Sequence, residues 1–356
     1  MTVTRRDVAR LAGTSPAVVS YVLNGGPRGV APRTRERVLA AVEQLGYRPN
    51  QLAASLRTSR TMTLGLVVPD NANPFFAELA RAVEDAAFSA GYTLLLGNAT
   101  DDEARQTAYV RTFIDRRVDG LLLIPSHGAP ACLPDINRSG TPWVVLDRRT
   151  EAAVFAAQIL VDNRGGAAAA TAHLLEHGRR RVACIAGPGD VAVTSDRVSG
   201  WRDAMTAAGM SPDRLLLRHT AFGRFAGYEA ARDLLATENV DAIFVASDEQ
   251  AAGVLRAIGE AGRRCPDDVA VVSFDGVEAA EYTTPALTTM RQPLGELARI
   301  AIEQLIAQME DPDLPPQTTV LPVSLLRRGS CGCPDPPGGA VGAGSGSTDD
   351  DEEERR

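Results

Sequence analysis

The chain has 356 residues, 44% of them hydrophobic, and a net charge of −8, which allows two or three domains with large cores. No apolar run reaches the roughly eighteen residues of a membrane span, and the N-terminus lacks the apolar stretch of a secretory signal. Five scattered cysteines make no disulfide framework in so long a chain, so the expected location is a reducing cytoplasm.

The charge is unevenly placed. Residues 1–60 hold ten Arg against Asp7, Glu36 and Glu43, a net +7, which leaves −15 for the rest. A basic head on an acidic body points to a polyanion partner for the head; a merely solvated Arg surface is the competing account. All 37 basic residues are Arg, which we read as compositional bias.

In chain order, residues 4–46 read as three short helices. Thr4 caps the first, with Asp7 as its capping-box partner, and Val8, Ala9, Leu11 and Ala12 give it an apolar face. Gly13 breaks it. Ser15 caps the second, with Pro16 in its first turn. Val18, Val19, Val22 and Leu23 form its inner stripe, Ala17, Ser20 and Tyr21 face outward, and Asn24-Gly25-Gly26 ends it. The third runs from about Pro32 to Leu45, with Val38, Leu39 and Val42 inward and Gly46 as the stop.

From Thr63 onward strands alternate with helices. Apolar strands are expected at Leu64–Val68, Thr93–Leu96, Gly120–Ile124, Trp143–Leu146, Val182–Ile185, Ala242–Ala246 and Val269–Phe274, with amphipathic segments such as Ala77–Ala90 and Ala167–Leu175 between them. This pattern predicts parallel sheets covered by helices on both faces. About 270 residues is too many for one ordinary sheet, so two similar α/β lobes are expected. Ligands in such folds sit at the carboxyl ends of strands. After Arg328 the chain turns Gly-, Pro- and Ser-rich and ends in DDDEEERR; it reads as a disordered tail.

Two short helices joined at Gly13-Thr14 form a helix-turn-helix whose second helix would enter a DNA major groove. Ala17 could touch a thymine methyl, and Ser20 and Tyr21 could reach bases or phosphates. A plain three-helix bundle fits the pattern equally well; the +7 charge favours DNA. Here the sequence resembles the LacI/GalR family of bacterial transcriptional regulators. VTRRDVARLAGTSPAVVSYVLNG is similar to the family's opening. TRERVLAAVEQLGYRPNQLAASLRTSRTMTLGLVVPD is similar to its third helix, hinge and first strand. NPFFAELARAVEDAAFSAGYTLLLGNA, RRVDGLLLIP, VVSFDG and PALTTMRQP follow in order, so the likeness covers residues 3 to about 328.

The resemblance implies a homodimeric repressor that binds a palindromic operator. Its all-α helix-turn-helix head would be carried by an α/β periplasmic-binding-protein-like body of two doubly wound parallel-sheet lobes. The implied division is a DNA-binding head (1–48), a hinge (49–60), an effector-binding and dimerisation body (61–330) and a disordered acidic tail (331–356). Within the body, the N-lobe takes about 61–161 and 291–321, and the C-lobe about 162–290 and 322–330. The DNA-facing set is Thr4, Ser15, Pro16, Ala17, Ser20, Tyr21 and Asn24. In the hinge, PNQLAASLR, Leu56 would be the apolar wedge in the minor groove, with Arg57 beside it; a simple linker is the alternative. One departure is Ala31, which precedes Pro32 where the family places a Ser cap.

For the body the implied effector is a monosaccharide or related sugar. Carboxylates accept hydroxyl protons, Arg donates a fork, and Phe covers the C–H face of a ring. The candidates are Asn73, Phe75, Phe76, Asp147, Arg148, Arg197, Phe222, Ser247, Asp275 and Gln292. Ser247 stands where Asn is usual in the family, so one two-sided hydrogen-bond partner is shortened. Phe75 and Phe76 could instead be core, Asp147, Arg148 and Arg197 an interlobe salt bridge, and Asp275 a turn cap with Gly276.

His173-Leu-Leu-Glu176-His177 spells an inverted zinc-protease motif. Gly178 follows at once, so His177 in a last turn can serve the helix dipole instead. Only His127 and His219 remain, no third ligand suggests itself, and the family places such a helix on the outer surface of the C-lobe. Cys331-Gly332-Cys333 lies where order is expected to end and reads as two incidental thiols. No metal, cofactor or catalytic residue is therefore expected, and GPGD at 187–190 reads as a turn, not a dinucleotide fingerprint. A sugar-binding protein or sugar-active enzyme with a vestigial head is the rival reading; Ser15, Tyr21 and Leu56 argue against it.

Overall fold

The computed structural model describes residues 3–24, 29–48, 60–151 and 156–334. The chain divides into two compact units, Met1–Thr61 and Met62–Arg356.

The first unit contains α1 (Arg5–Leu11), α2 (Pro16–Asn24) and α3 (Pro32–Leu45). The Asp7 carboxylate accepts from the Thr4 amide and hydroxyl at 3.0 and 2.6 Å, tying down the start of α1. No side chain caps α3 at Ala31, and Gly46 ends it in the left-handed region. Val8, Ala9, Ala12, Val19, Val22, Val38, Ala41 and Tyr47 make the core. Leu11 and Leu39, expected inward, are exposed. Short helices bury one narrow stripe each, and in α3 the small Ala41 takes a place on it.

The second unit holds two six-stranded sheets of the same winding. The first contains β1 (Thr63–Val68), β2 (Thr93–Asn98), β3 (Gly120–Leu123), β4 (Trp143–Leu146), β5 (Ala157–Val161) and β11 (Thr318–Leu321), in the order β2-β1-β3-β4-β5-β11. The second contains β6 (Val182–Ala186), β7 (Leu217–His219), β8 (Ala242–Val245), β9 (Ala270–Asp275), β10 (Thr288–Arg291) and β12 (Ser324–Leu326), in the order β7-β6-β8-β9-β10-β12. All pairings are parallel except β10 with β12. Leu66, for instance, registers with Leu96 on one side and Leu122 on the other. The inner strands are apolar on both faces because helices cover both. The chain passes from the first lobe to the second after β5, returns after β10, and crosses again between β11 and β12.

The helices are α4 (Pro74–Ser89), α5 (Glu103–Asp115), α6 (Leu133–Ser139), α7 (Asn163–Glu176), α8 (Ala192–Ala207), α9 (Arg224–Thr237), α10 (Asp248–Glu260) and α11 (Leu294–Glu310). Although it follows β10, α11 packs on α4 and on β3, β4 and β5 of the first lobe.

Cys331, expected in the tail, belongs to the folded body. Gly329–Cys331 form a 3-10 turn, and Ser330 and Cys331 are buried. Ser330 Oγ donates to the Val271 carbonyl at 2.7 Å and accepts from the Thr288 amide at 2.8 Å, which seats this turn on β9 and β10. Residues 335–356 lie outside the described residues.

Candidate DNA-binding head and effector pocket

In the head, Ser15 Oγ accepts from the Val18 amide at 3.3 Å at the start of α2. Thr4, Ser15, Pro16 and Ala17 are exposed, and Tyr21 is half-buried. Ser20 is buried, contrary to its expected outward position. At 100° per residue it sits on the flank of the inner stripe beside Leu23, where a small side chain is covered. The side chains of Asn24, Leu56 and Arg57 lie outside the described residues.

In the body, a narrow cavity opens between the lobes, lined by Asn73, Phe75, Phe76, Asp147, Arg148, Val193, Arg197, Phe222, Ser247 and Asp275. Nine of the ten expected effector residues meet there. Gln292 stands behind the wall and donates from Nε2 to Asp275 Oδ1 at 3.0 Å, so it orients the carboxylate and is not itself part of the lining. Val193, in the first turn of α8, joins the lining without any polar or aromatic signal in the sequence to mark it.

Each lining side chain is fixed by its element. Asn73 caps α4, its Oδ1 accepting from the Phe75 amide at 3.0 Å. Phe75 and Phe76 then follow in the first turn with their rings edge to face, centroids 5.1 Å apart. They belong to the core and also face the cavity. Ser247 caps α10 in the same way, accepting from the Gln250 amide at 3.2 Å. Asp147 directly follows β4 and Asp275 ends β9, each with positive φ, 62° and 119°. Strain of that kind persists where the surroundings over-determine it, commonly at ligand sites.

The two arginines are held rigidly. Arg197 Nε donates to Asn163 Oδ1 at 2.8 Å, and its Nη1 donates to the Ala246 carbonyl and to Asp275 Oδ1, the latter at 3.3 Å. Its guanidinium lies 3.8 Å from the centroid of the Phe274 ring. Arg148 Nη1 donates to the carbonyls of Pro125 and Ser126 at 3.1 and 2.9 Å. Its guanidinium lies 5.1 Å from the centroid of Phe76, in the first lobe, and 5.8 Å from that of Phe222, in the second, within the range of cation–π attraction. Phe222 reaches the cavity because residue 187 is Gly: a Cβ there would lie 2.1 Å from the Phe222 ring and 2.5 Å from Thr194 Oγ1.

Burial dominates the electrostatics. It pushes the Asp147 carboxyl above the ordinary range, with Arg148 and Arg197 pulling it back. Asp275 is raised well above that range by burial, which Arg197 opposes and the nearby carboxylates of Asp248 and Asp147 reinforce. Asp147 Oδ1 and Arg148 Nε have no hydrogen-bond partner among the described residues. Buried polar atoms without partners are costly, and hydroxyls can satisfy both kinds.

Asp248 carries part of this geometry and was not singled out from sequence. It is buried and accepts from Ser273 Oγ, from Thr289 Oγ1 at 2.7 Å, and from the amides of Gly276 and Val277 at 2.8 and 2.9 Å. Burial still raises its carboxyl to about 6. It therefore caps the turn after β9, leaving Asp275 for the cavity; its place after the Ser247 cap was the available signal. Three contacts join the lobes at the rim. His127 Nδ1 meets Asp190 Oδ2 at 2.8 Å, Arg149 pairs with Asp196 at 3.0 Å, and the Glu278 amide donates to Glu78 Oε1 at 3.0 Å.

His173 is buried and not on an outer surface. The structure brings Cys331 and Cys333 against this histidine pair, where the sequence offers no third candidate ligand nearby. The contacting pairs are 156 to 160 residues apart in sequence, so only the fold brings them together.

A basic helix-turn-helix head with a two-lobed body closed over a polar cavity defines an effector-controlled, DNA-binding regulator. Comparison with known proteins agrees. Residues 4–50 match the model for bacterial regulatory proteins of the lacI family, and residues 171–331 match that for a periplasmic binding protein-like domain. The chain is 37% identical over 339 residues to the ribose operon repressor of Escherichia coli (strain K12), spanning 92% of this chain and 99% of that protein. It resembles the structure of the lac repressor dimer bound to operator and the anti-inducer ONPF, with a TM-score of 0.83 and 25% identity over 93% of this chain and 99% of the other. It also resembles a LacI family regulator from Enterococcus faecium with bound ribose, with a TM-score of 0.69 and 29% identity over 75% of this chain and 98% of the other. The chain belongs to the LacI family and is a DNA-binding transcriptional repressor of the effector-controlled kind. These matches run through head and body together and set aside the rival reading of a vestigial head.

Proposed function

We propose that this repressor acts as a cytoplasmic homodimer on a palindromic operator and that a monosaccharide, ribose first among candidates, releases it. Exposed Ala17 and half-buried Tyr21 read base edges from the N-terminal part of α2. Leu56 wedges the minor groove, and Arg57 lies beside it. The effector seats between Phe76 and Phe222, and its hydroxyls engage Asp147, Arg148, Arg197 and Asp275. Nothing in this assignment requires a catalytic step, so the protein is a regulator and not an enzyme.

The observation that carries this reading is the buried Asp147–Arg148 pair, with Asp147 Oδ1 and Arg148 Nε unpartnered in the cavity. Its lining of carboxylates, guanidinium groups and phenyl rings suits a small polyhydroxylated ring. Because the site recognises hydroxyls, a deoxy analogue leaves buried groups unsatisfied and is rejected.

Calorimetry tests this. Ribose is expected to bind the wild type, to bind Asp275→Ala at least about tenfold more weakly, and to outcompete its deoxy analogue. An unchanged dissociation constant in Asp275→Ala contradicts the site. Binding of a nucleobase with no response to any sugar contradicts the ligand class and leaves the cavity assignment standing.

A further inference from the structure

The chain has only four histidines and five cysteines, yet two of each converge at one point in the second lobe. The ligand atoms of His173, His177, Cys331 and Cys333 all lie within 4.8 Å of one another. His173 and His177 are one turn apart on α7 and its C-cap, with ring centroids 4.7 Å apart. Cys331 and Cys333 arrive from the far end of the chain, on the turn that follows β12. We propose that these four residues form a tetrahedral Cys2His2 site for a zinc-class divalent cation, which staples the C-terminal turn to α7.

The geometry supports a site more strongly than incidental packing. A tetrahedral zinc with Zn–S of about 2.3 Å and Zn–N of about 2.0 Å fixes the S···N edges near 3.5 Å. The observed separations are 3.2 Å from His173 Nε2 to Cys331 Sγ, 3.6 Å from His173 Nε2 to Cys333 Sγ, and 3.5 Å from His177 Nε2 to Cys333 Sγ. The His-x3-His spacing puts both imidazoles on one helix face. The Cys-Gly-Cys spacing turns both sulfurs inward through Gly332, whose φ of 99° is a conformation that side chains rarely adopt. Thiolate and imidazole together select zinc over hard cations such as magnesium or calcium. Four protein ligands leave no open position, the mark of a structural site and not a catalytic one. Thr288 Oγ1 lies 3.0 Å from Cys331 Sγ, in reach to support a bound thiolate.

Coordination needs both cysteines as thiolates and both imidazoles neutral, so uptake releases the thiol protons to solvent. The cation would tie together the first helix of the second lobe and the last described turn. These flank the chain crossings after β5 and between β11 and β12. The proposal does not depend on the identity of the effector.

The test uses the full-length chain without a histidine tag. Purified protein should carry one zinc per chain by elemental analysis. After chelation, Co(II) should restore the thiolate-to-metal and d–d bands of a tetrahedral site. His177→Ala and Cys333→Ser remove the two less buried ligands, so these variants should fold yet bind Co(II) far more weakly. Chelation should lower the melting temperature of the wild type and leave unchanged that of the double variant, which combines His177→Ala with Cys333→Ser. A zinc-free wild type that shows no Co(II) bands overturns the proposal. So does a double variant that binds Co(II) as the wild type does, or a Cys331–Cys333 disulfide in protein kept under reducing conditions.

Discussion

Arg33, Arg35 and Arg37 lie exposed along α3 of the basic head, whereas Arg148 and Arg197 of the acidic body are buried among carbonyls, carboxylates and aromatic rings. The same residue type performs two kinds of work. Exposed guanidinium groups form a field that any polyanion can meet and that salt screens. Buried ones act as fixed hydrogen-bond forks that a ligand must match in shape. The head therefore derives much of its affinity from charge, and the body its selectivity from geometry.

The largest expected effect breaks this pairing with salt. If the dimer's heads neutralise six or more phosphates, operator affinity should fall by about a thousandfold between about 50 and 200 mM salt. Effector affinity should hardly move, because the polar groups that line the cavity are buried. Filter binding and calorimetry across one salt series check both; equal slopes would erase the distinction.

A smaller effect sharpens the body's side. Gly187→Ala places a methyl against the Phe222 ring. Overpacking of that kind costs about 1–3 kcal/mol, and here it displaces one aromatic wall. Effector affinity should drop roughly tenfold or more while operator affinity holds. Unaltered effector binding would show that Phe222 does not cover the ligand.

The smallest is a pH effect at the rim. The hydrogen bond to Asp190 raises His127 above its ordinary 6.5 and holds Asp190 below its usual range. Asp101 also faces His127, through its carbonyl and its charge. A histidine raised in the closed form favours closure fully below the open-form value and loses that contribution as pH rises through the closed-form one. Both groups are largely exposed, so the effect on effector affinity should not exceed about fivefold. His127→Gln should flatten it in a pH series of titrations.

Much of the body could be read ahead of its structure because inner strands such as β1, β4 and β8 are covered on both sides and so are continuously apolar. Edge strands have one neighbour and need less burial; β7 (Leu-Arg-His), β11 (Thr-Thr-Val-Leu) and β12 (Ser-Leu-Leu) passed unread for that reason. So did β5 and β10, where Gln158 and the Thr288-Thr289 pair interrupt the apolar run. Asn73, Asp147 and Asp275 were legible as cavity-lining residues because they stand at or beyond the ends of apolar strands. Asp248 and Gly187 were not, since one acts by holding a turn and the other by making room. Ser20 misled because a small polar residue on the flank of a stripe looks the same in sequence whether covered or not. Cys331 and Cys333 misled because only the fold brings them to His173.

The central claim is that the cavity in the body controls the head. Fluorescence anisotropy of labelled operator, titrated with and without ribose, tests it most directly when wild type and Asp275→Ala are compared. A coupling of about 1–3 kcal/mol predicts that saturating ribose weakens operator binding of the wild type by about 5- to 150-fold. Asp275→Ala should bind operator as tightly as the ribose-free wild type without the sugar, and should lose far less affinity than the wild type at a ribose concentration that just saturates the wild type. If a ribose-binding wild type keeps its operator affinity unchanged at saturation, the cavity does not govern the head and the account is wrong.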